Sequence, residues 1–179
     1  MSFKGSKWYD MSGNGNDANI LDHKAKPIKR VCSSGNGATG SVDTLQGTTT
    51  SKIKFGRVIK RYFTICSLTR YNGNNRGRIL RSENGNFLHG HHGSRAGVAY
   101  YETWRTKEIS FVPVDDWVVM CGTNEDDKNR IMRANGKDVP AGDSITGGEG
   151  DKDLSVHVGE FHDQPSDWEI SEVITWDRF

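Results

Sequence analysis

Residues 70–104, RYNGNNRGRILRSENGNFLHGHHGSRAGVAYYETW, gather the side chains best equipped for chemistry. Arg70, Arg76, Arg78, Arg81 and Arg95 accompany His89, His91 and His92, and Tyr100, Tyr101 and Trp104 follow within a few positions. On an extended strand, alternation places Phe87, His89 and His91 on one face and Leu88, Gly90 and His92 on the other. His89 and His91 then stand side by side. That pair can ligate zinc or copper once a third ligand is near, and otherwise it hydrogen-bonds across the sheet or forms a polar groove. Flat rings beside Arg, His and Asn suit sugar recognition, because a ring stacks on the apolar face of a pyranose while the polar groups bond its hydroxyls. The expected ligand-binding set is Arg78, His89, His91, Tyr100, Tyr101 and Trp104, with Trp117 a further ring. Arg70, Arg76, Arg78 and Arg81 could also grip a carboxylate, sulfate or phosphate in fork geometry, so a sulfated glycan or another polyanionic surface fits as a partner.

Carboxylates tell a different story. A retaining glycosidase needs its acid and nucleophile about 5 Å apart. The nearest pair, Glu169 and Glu172 in WEISEV, is three residues apart and so points to opposite strand faces, with Glu172 on the face of Trp168 and Ile170. No nucleophile elbow of the G-x-S-x-G type occurs either. The expectation is a noncatalytic binding protein, not an enzyme. In DMSGNGND, residues 10–17, Asp10, Ser12, Asn14 and Asn16 alternate with Gly13 and Gly15, and such side chains cap a sharp reversal by bonding their own backbone. The same oxygens could hold Ca²⁺, with Asp10, Asn14 and Asp17 as the candidates. A calcium site takes six to eight oxygens, usually several of them carboxylate, and this loop offers only Asp10 and Asp17. Glu125, Asp126 and Asp127, and the pair Asp151 and Asp153, are the other acidic groups.

The elements that must position these residues are short strands. Apolar runs such as YFTICSLT, GVAYYETW, WVVMCG and WEISEVITW are separated by glycine and asparagine clusters, and no window carries a helical stripe for three turns. Turn signals fall at 71–77, at 83–86 and at 133–137, where Asn135-Gly136 supplies the positive φ angles of a two-residue hairpin. Roughly ten strands exceed one comfortable flat sheet, so two antiparallel sheets packed face to face are expected. The chain reads as an all-β sandwich forming a single domain over 1–179, with residues 22–30 and 142–153 as exposed loops.

The 24 basic and 23 acidic residues give a formal charge of +1, which supplies no global field for a duplex, and no groove-reading element stands out. Nucleic acid is excluded as a partner. No apolar leader core and no stretch of roughly 18 apolar residues occurs, so neither a signal peptide nor membrane insertion is expected. Cys32, Cys66 and Cys121 lack CxxC spacing, and at most one disulfide can form among them. Cys66 and Cys121 sit in apolar runs, where a small buried hydrophobe is the expected role.

Three stretches together resemble concanavalin A-like lectin/glucanase domains, the jelly-roll sandwich of laminin-G-like and pentraxin-like modules. KWYDMSGNGNDANI at 7–20 resembles their opening strand and turn, RIMRANGKDV their central hairpin, and WEISEVITWDR their closing strand, in the same order along the chain. The resemblance implies that the closing strand pairs near the opening one in mid-sheet, which would make Ile174 and Trp176 core residues. It also implies a lectin-like, carbohydrate-binding role, calcium in some relatives, and an extracellular setting. The alternative reading is a structural or assembly module of a matrix, adhesive or mineral-associated complex, with a protein partner or other copies of itself bound at strand edges.

Overall fold

The computed structural model describes residues 3–21, 29–35, 37–107, 110–126, 131–142, 146–158 and 164–178. Most of the expected loop at 22–30 and part of that at 142–153 lie outside the described residues, as does Asp127. Two antiparallel sheets make up a β-sandwich, and no helix occurs among the described residues. One sheet has eight strands: β1 (Phe3–Lys4), β2 (Lys7–Trp8), β3 (Ala18–Leu21), β6 (Lys52–Ile59), β14 (Lys152–Val156), β8 (Leu80–Ser82), β9 (Phe87–His92) and β10 (Arg95–Tyr101), in that spatial order. The other has seven: β13 (Lys137–Asp138), β12 (Met132–Ala134), β11 (Val118–Thr123), β7 (Thr64–Arg76), β15 (Ser166–Trp176), β5 (Ala38–Gly47) and β4 (Lys29–Gly35).

The inward faces follow period-two alternation. In β7, Ile65, Ser67, Thr69 and Tyr71 are buried, and across the gap β9 contributes Phe87, His89 and His91. Leu45, Ile53, Ile59, Phe63, Met120, Leu154, Trp168 and Ile170 complete one continuous core between the layers. The layer interface at β7 and β9 is therefore mixed: apolar at its ends and polar where serine, threonine and imidazole meet.

Turn chemistry accounts for two hairpins. Asn135 and Gly136 adopt φ of 50° and 75° between β12 and β13, and Asn135 Oδ1 accepts the Val119 N–H at 2.9 Å. Residues 83–86 join β8 to β9 as the sequence predicts. The predicted turn at 71–77 does not form, because β7 continues to Arg76. There Gly73 packs against Asp167, whose Oδ2 accepts both the Asn75 N–H at 3.1 Å and its side-chain amide at 2.8 Å. A neighbouring carboxylate thus satisfies polar groups that would otherwise cap a reversal.

Two further expectations need correction. The opening strands lie at the edge of the eight-stranded sheet, whereas β15 occupies the middle of the seven-stranded one between β7 and β5, so the two do not pair. Within β15, Trp168 and Ile170 are fully buried, but Ile174 and Trp176 are 38% and 42% exposed. The cause is a register shift between Ile170 and Glu172: one extra residue reverses the facing of everything after it. Glu172 likewise ends outside, not beside Trp168 and Ile170. Cys66 and Cys121, opposite one another on β7 and β11, form a disulfide instead of serving as buried thiols.

Candidate functional site

Alternation on β8, β9 and β10 sorts the chemically rich segment into an inner and an outer set. His89 pairs with Leu80 and Ala99, and His91 with Ala96, all core residues, while Arg81, Leu88 and Tyr100 are matched on the opposite face. His89, His91 and Tyr101 are fully buried and so present no surface to a ligand, contrary to their place in the expected binding set. Their polar atoms bond within the interior. His89 Nδ1 meets the Tyr101 hydroxyl at 2.7 Å, His89 Nε2 meets the Met120 carbonyl across the layers at 3.2 Å, and His91 Nδ1 meets Thr69 Oγ1 at 3.2 Å. Burial drives the His89 imidazole down to about 4 and that of His91 to about 3, the second helped by the nearby His89, so both are neutral. No group of three or more His, Cys, Asp or Glu that could hold a metal occurs among the described residues.

The outer set forms a ledge. Tyr100 and Trp104 meet edge to face with centroids 5.2 Å apart, and His92 lies 5.8 Å from Trp104. The Arg95 guanidinium sits over the Trp104 ring at 5.7 Å and contacts His92 Nδ1 at 3.0 Å. Gln164 Oε1 ties the ledge together, accepting from Arg78 Nε at 2.9 Å and lying 3.0 Å from His92 Nε2. Arg78 Nη1 also donates to Asn86 Oδ1 at 2.7 Å. Both partners of Arg78 are neutral amides, and it forms no ion pair among the described residues. Burial, with the like charge of Arg81 beside it, pulls the Arg78 guanidinium down to about 10. The structure thus unites Arg78, Tyr100 and Trp104 from the expected set and adds Asn86, His92, Arg95 and Gln164. His92 was legible from its outward parity on β9; Gln164 lies far along the chain and carries no sequence signal.

Arg70 and Trp117 belong elsewhere. Arg70 stacks over Trp117 at 4.9 Å and pairs with buried Glu169, its Nε 2.8 Å and its Nη2 2.6 Å from Oε2, while Thr44 Oγ1 donates to Oε1 at 2.5 Å. The calcium candidates are spent on shaping a loop. Asp10 Oδ1 accepts the Ser12 N–H at 2.8 Å and Oδ2 the Asn16 N–H at 2.9 Å, bonds that hold its carboxyl below the usual range. Asp17 Oδ1 accepts the Asp10 N–H at 3.0 Å, its Oδ2 lies 3.4 Å from Lys7 Nζ, and Asn14 bonds Ser12. Carboxylate oxygens capping backbone donors do not fit a cation that takes six to eight oxygens.

Solved structures similar to this fold are sialidases of Trypanosoma rangeli. The complex with the inhibitor DANA superposes with a TM-score of 0.59 at 13% identity, over 99% of this chain and 29% of the sialidase chain. The complex with sialic acid gives 0.58 at 14% identity, over 99% and 30% of the two chains. The covalent intermediate with 2,3-difluorosialic acid gives 0.58 at 13% identity, over 99% and 29%. No protein-family model matches the sequence, and no curated protein matches it.

This likeness shares the sandwich and corrects one expectation. The absence of a closely spaced carboxylate pair led to a noncatalytic reading, yet the structural neighbours are glycosidases. The paired-carboxylate criterion describes most glycosidases but not all, sialidases being among the exceptions, so its failure does not exclude an enzyme.

Proposed function

We propose that residues 1–179 form one carbohydrate-binding sandwich domain of a glycan-processing protein, and that the ledge at Arg78, Tyr100 and Trp104 takes an acidic sugar. Arg78 carries this reading: a buried guanidinium held by two neutral amide oxygens at the foot of two half-buried rings. A buried cation held only by neutral acceptors favours an incoming anionic group. The rings supply the plane on which a pyranose stacks. The sialidase likeness supports the carbohydrate class.

The test is a glycan array printed with sialylated, uronic-acid and uncharged oligosaccharides. Acidic glycans bind; Trp104→Ala weakens them about 10-fold, and Arg78→Gln erases the preference for acidic over neutral sugars by about 10- to 100-fold. Equal binding of acidic and neutral glycans by the unaltered protein would refute the acidic ledge.

Glycoside cleavage is a second reading, supported by the same likeness to sialidases; release of the fluorophore from a fluorogenic sialoside tests it. The assembly reading draws support from a different face, where Val119, Ile174 and Trp176 stand exposed around the Cys66–Cys121 bridge. Concentration-dependent light scattering that sugars leave unchanged would favour it. The disulfide itself accords with an oxidising, extracellular setting.

A further inference from the structure

The seven-stranded sheet turns one face to the core and the other outward, and alternation along β12, β11, β7 and β15 builds a patch on the outer side. Cross-strand pairing sets it in three rows. The middle row runs Arg133, Cys121, Cys66, Ile174, so the disulfide lies at its centre between β11 and β7. The row on one side runs Val119, Leu68, Glu172. The row on the other ends at Ile131 and Trp176, with Thr123 and Thr64 between them. Val119, Ile131, Ile174 and Trp176 are 38% to 52% exposed, and they are half of the large apolar side chains exposed among the described residues. Exposed apolar groups gathered on one surface mark a place that another body covers.

We propose that this body is a second copy of the chain, the two seven-stranded sheets stacking face to face about a two-fold axis that runs along the strands at the disulfide. The inference rests on the assembly reading and deepens it, and it uses none of the ledge residues. Its basis is charge placed on opposite flanks. Arg133 on β12 and Glu172 on β15 are both exposed and stand three strands apart, about 14 Å, too far to pair within one chain. An axis between β11 and β7 lays β12 over the partner's β15. Arg133 then meets the partner's Glu172, Glu172 meets the partner's Arg133, and Ile131 and Trp176 cover one another by the same exchange, which makes the surface self-complementary. Within its own chain Arg133 bonds Asp138 at 2.8 Å, but both side chains are well exposed and such a pair is worth little, so adding a partner carboxylate costs little. Four strands by about five residues cover roughly 19 Å by 17 Å, about 320 Å² on each copy. An interface of that size belongs to the weak, reversible class. The eight-stranded sheets, and with them both ledges, stay on the outside of the stack.

Sedimentation equilibrium of the full chain, from about 10 μM to about 1 mM, reads the association. The unaltered protein forms a dimer within that range, and Trp176→Ala weakens it about 10-fold. Glu172→Arg alone, or Arg133→Glu alone, sets like charges opposite each other twice and weakens the dimer about 10-fold or more. The double variant restores opposite charges across the axis and dimerises within about 3-fold of the unaltered protein. These side chains are exposed and outside the core cluster, so the variants keep the fold, which circular dichroism checks. No association up to about 1 mM overturns the inference and the assembly reading together. Association that Trp176→Ala and Glu172→Arg leave unchanged overturns this face while the assembly reading stands. A double variant no tighter than either single one overturns the two-fold pairing. Sedimentation of a monomeric protein with phosphatidylserine vesicles, lost in Trp176→Ala, would give the face to a lipid surface and overturn the inference as well.

Discussion

Two neutral imidazoles in the interior make stability depend on pH, and the size of the effect follows from their surroundings. His89 and His91 are fully buried and titrate at about 4 and about 3 when folded, against 6.5 for an exposed histidine. Between pH 6.5 and those values only the unfolded chain takes up the two protons. A depressed folded value means that stability is complete above pH 6.5 and falls as the solution is acidified. At pH 5 each unfolded imidazole gains about 2 kcal/mol from protonation while the folded one gains almost nothing, so the pair removes about 4 kcal/mol between pH 7.5 and pH 5. That is a large share of an ordinary stability of about 5 to 15 kcal/mol. Urea denaturation followed by tryptophan fluorescence at the two pH values measures it directly. In the His89→Gln/His91→Gln double variant the loss over this window is smaller by about 4 kcal/mol, whatever its absolute stability. Should that variant not fold, imidazole NMR resonances of the unaltered protein must stay at their neutral positions down to pH 5. A stability constant within about 1 kcal/mol over the window, or imidazole shifts that titrate near 6.5, would refute the assignment.

Three other outcomes follow from the packing. Reducing the Cys66–Cys121 bridge, or replacing both cysteines by serine, frees a loop of 55 residues and lowers stability by about 4 kcal/mol, read as a lower urea midpoint. Glu169→Ala removes the carboxylate that pairs with Arg70 and accepts from Thr44 and costs about 3 to 5 kcal/mol, whereas Glu169→Gln/Arg70→Met, measured by the same denaturation, recovers most of the loss. Gly47→Ala would place a methyl 2.6 Å from Trp168 Cε2 and 2.8 Å from Ser51 Cβ, so the melting temperature falls with a cost of about 1 to 3 kcal/mol or more.

Fold class was legible because it rests on local signals. Alternation over ICSLT and FLHGHH, and the Asn135-Gly136 turn, state strand and hairpin chemistry in a few adjacent residues. The same alternation put His89 and His91 on one face correctly, but a single sequence cannot say whether that face meets water or the other sheet. The neighbours that decide it, Thr69 and Met120, lie on other strands. The bulge in β15 was equally hidden, since nothing in EISEV distinguishes a strand that pairs evenly from one that skips a residue. It turned Ile174 and Trp176 outward and so reversed their assignment to the core. Asp10 and Ser12 were read correctly as turn-forming groups because the backbone N–H groups they accept sit within six residues, whereas Asp17, read only as a calcium candidate, also accepts the Asp10 N–H. Gln164, which joins Arg78 to His92, lies 86 positions from the first and was beyond any local pattern.

The bond from His89 on one sheet to the Met120 carbonyl on the other has a mechanical reach. Greasy layers slide over each other at little cost, because dispersion is indifferent to direction. A hydrogen bond is not indifferent, and with Thr69 gripping His91 next to it the two plates are doweled at one fixed offset.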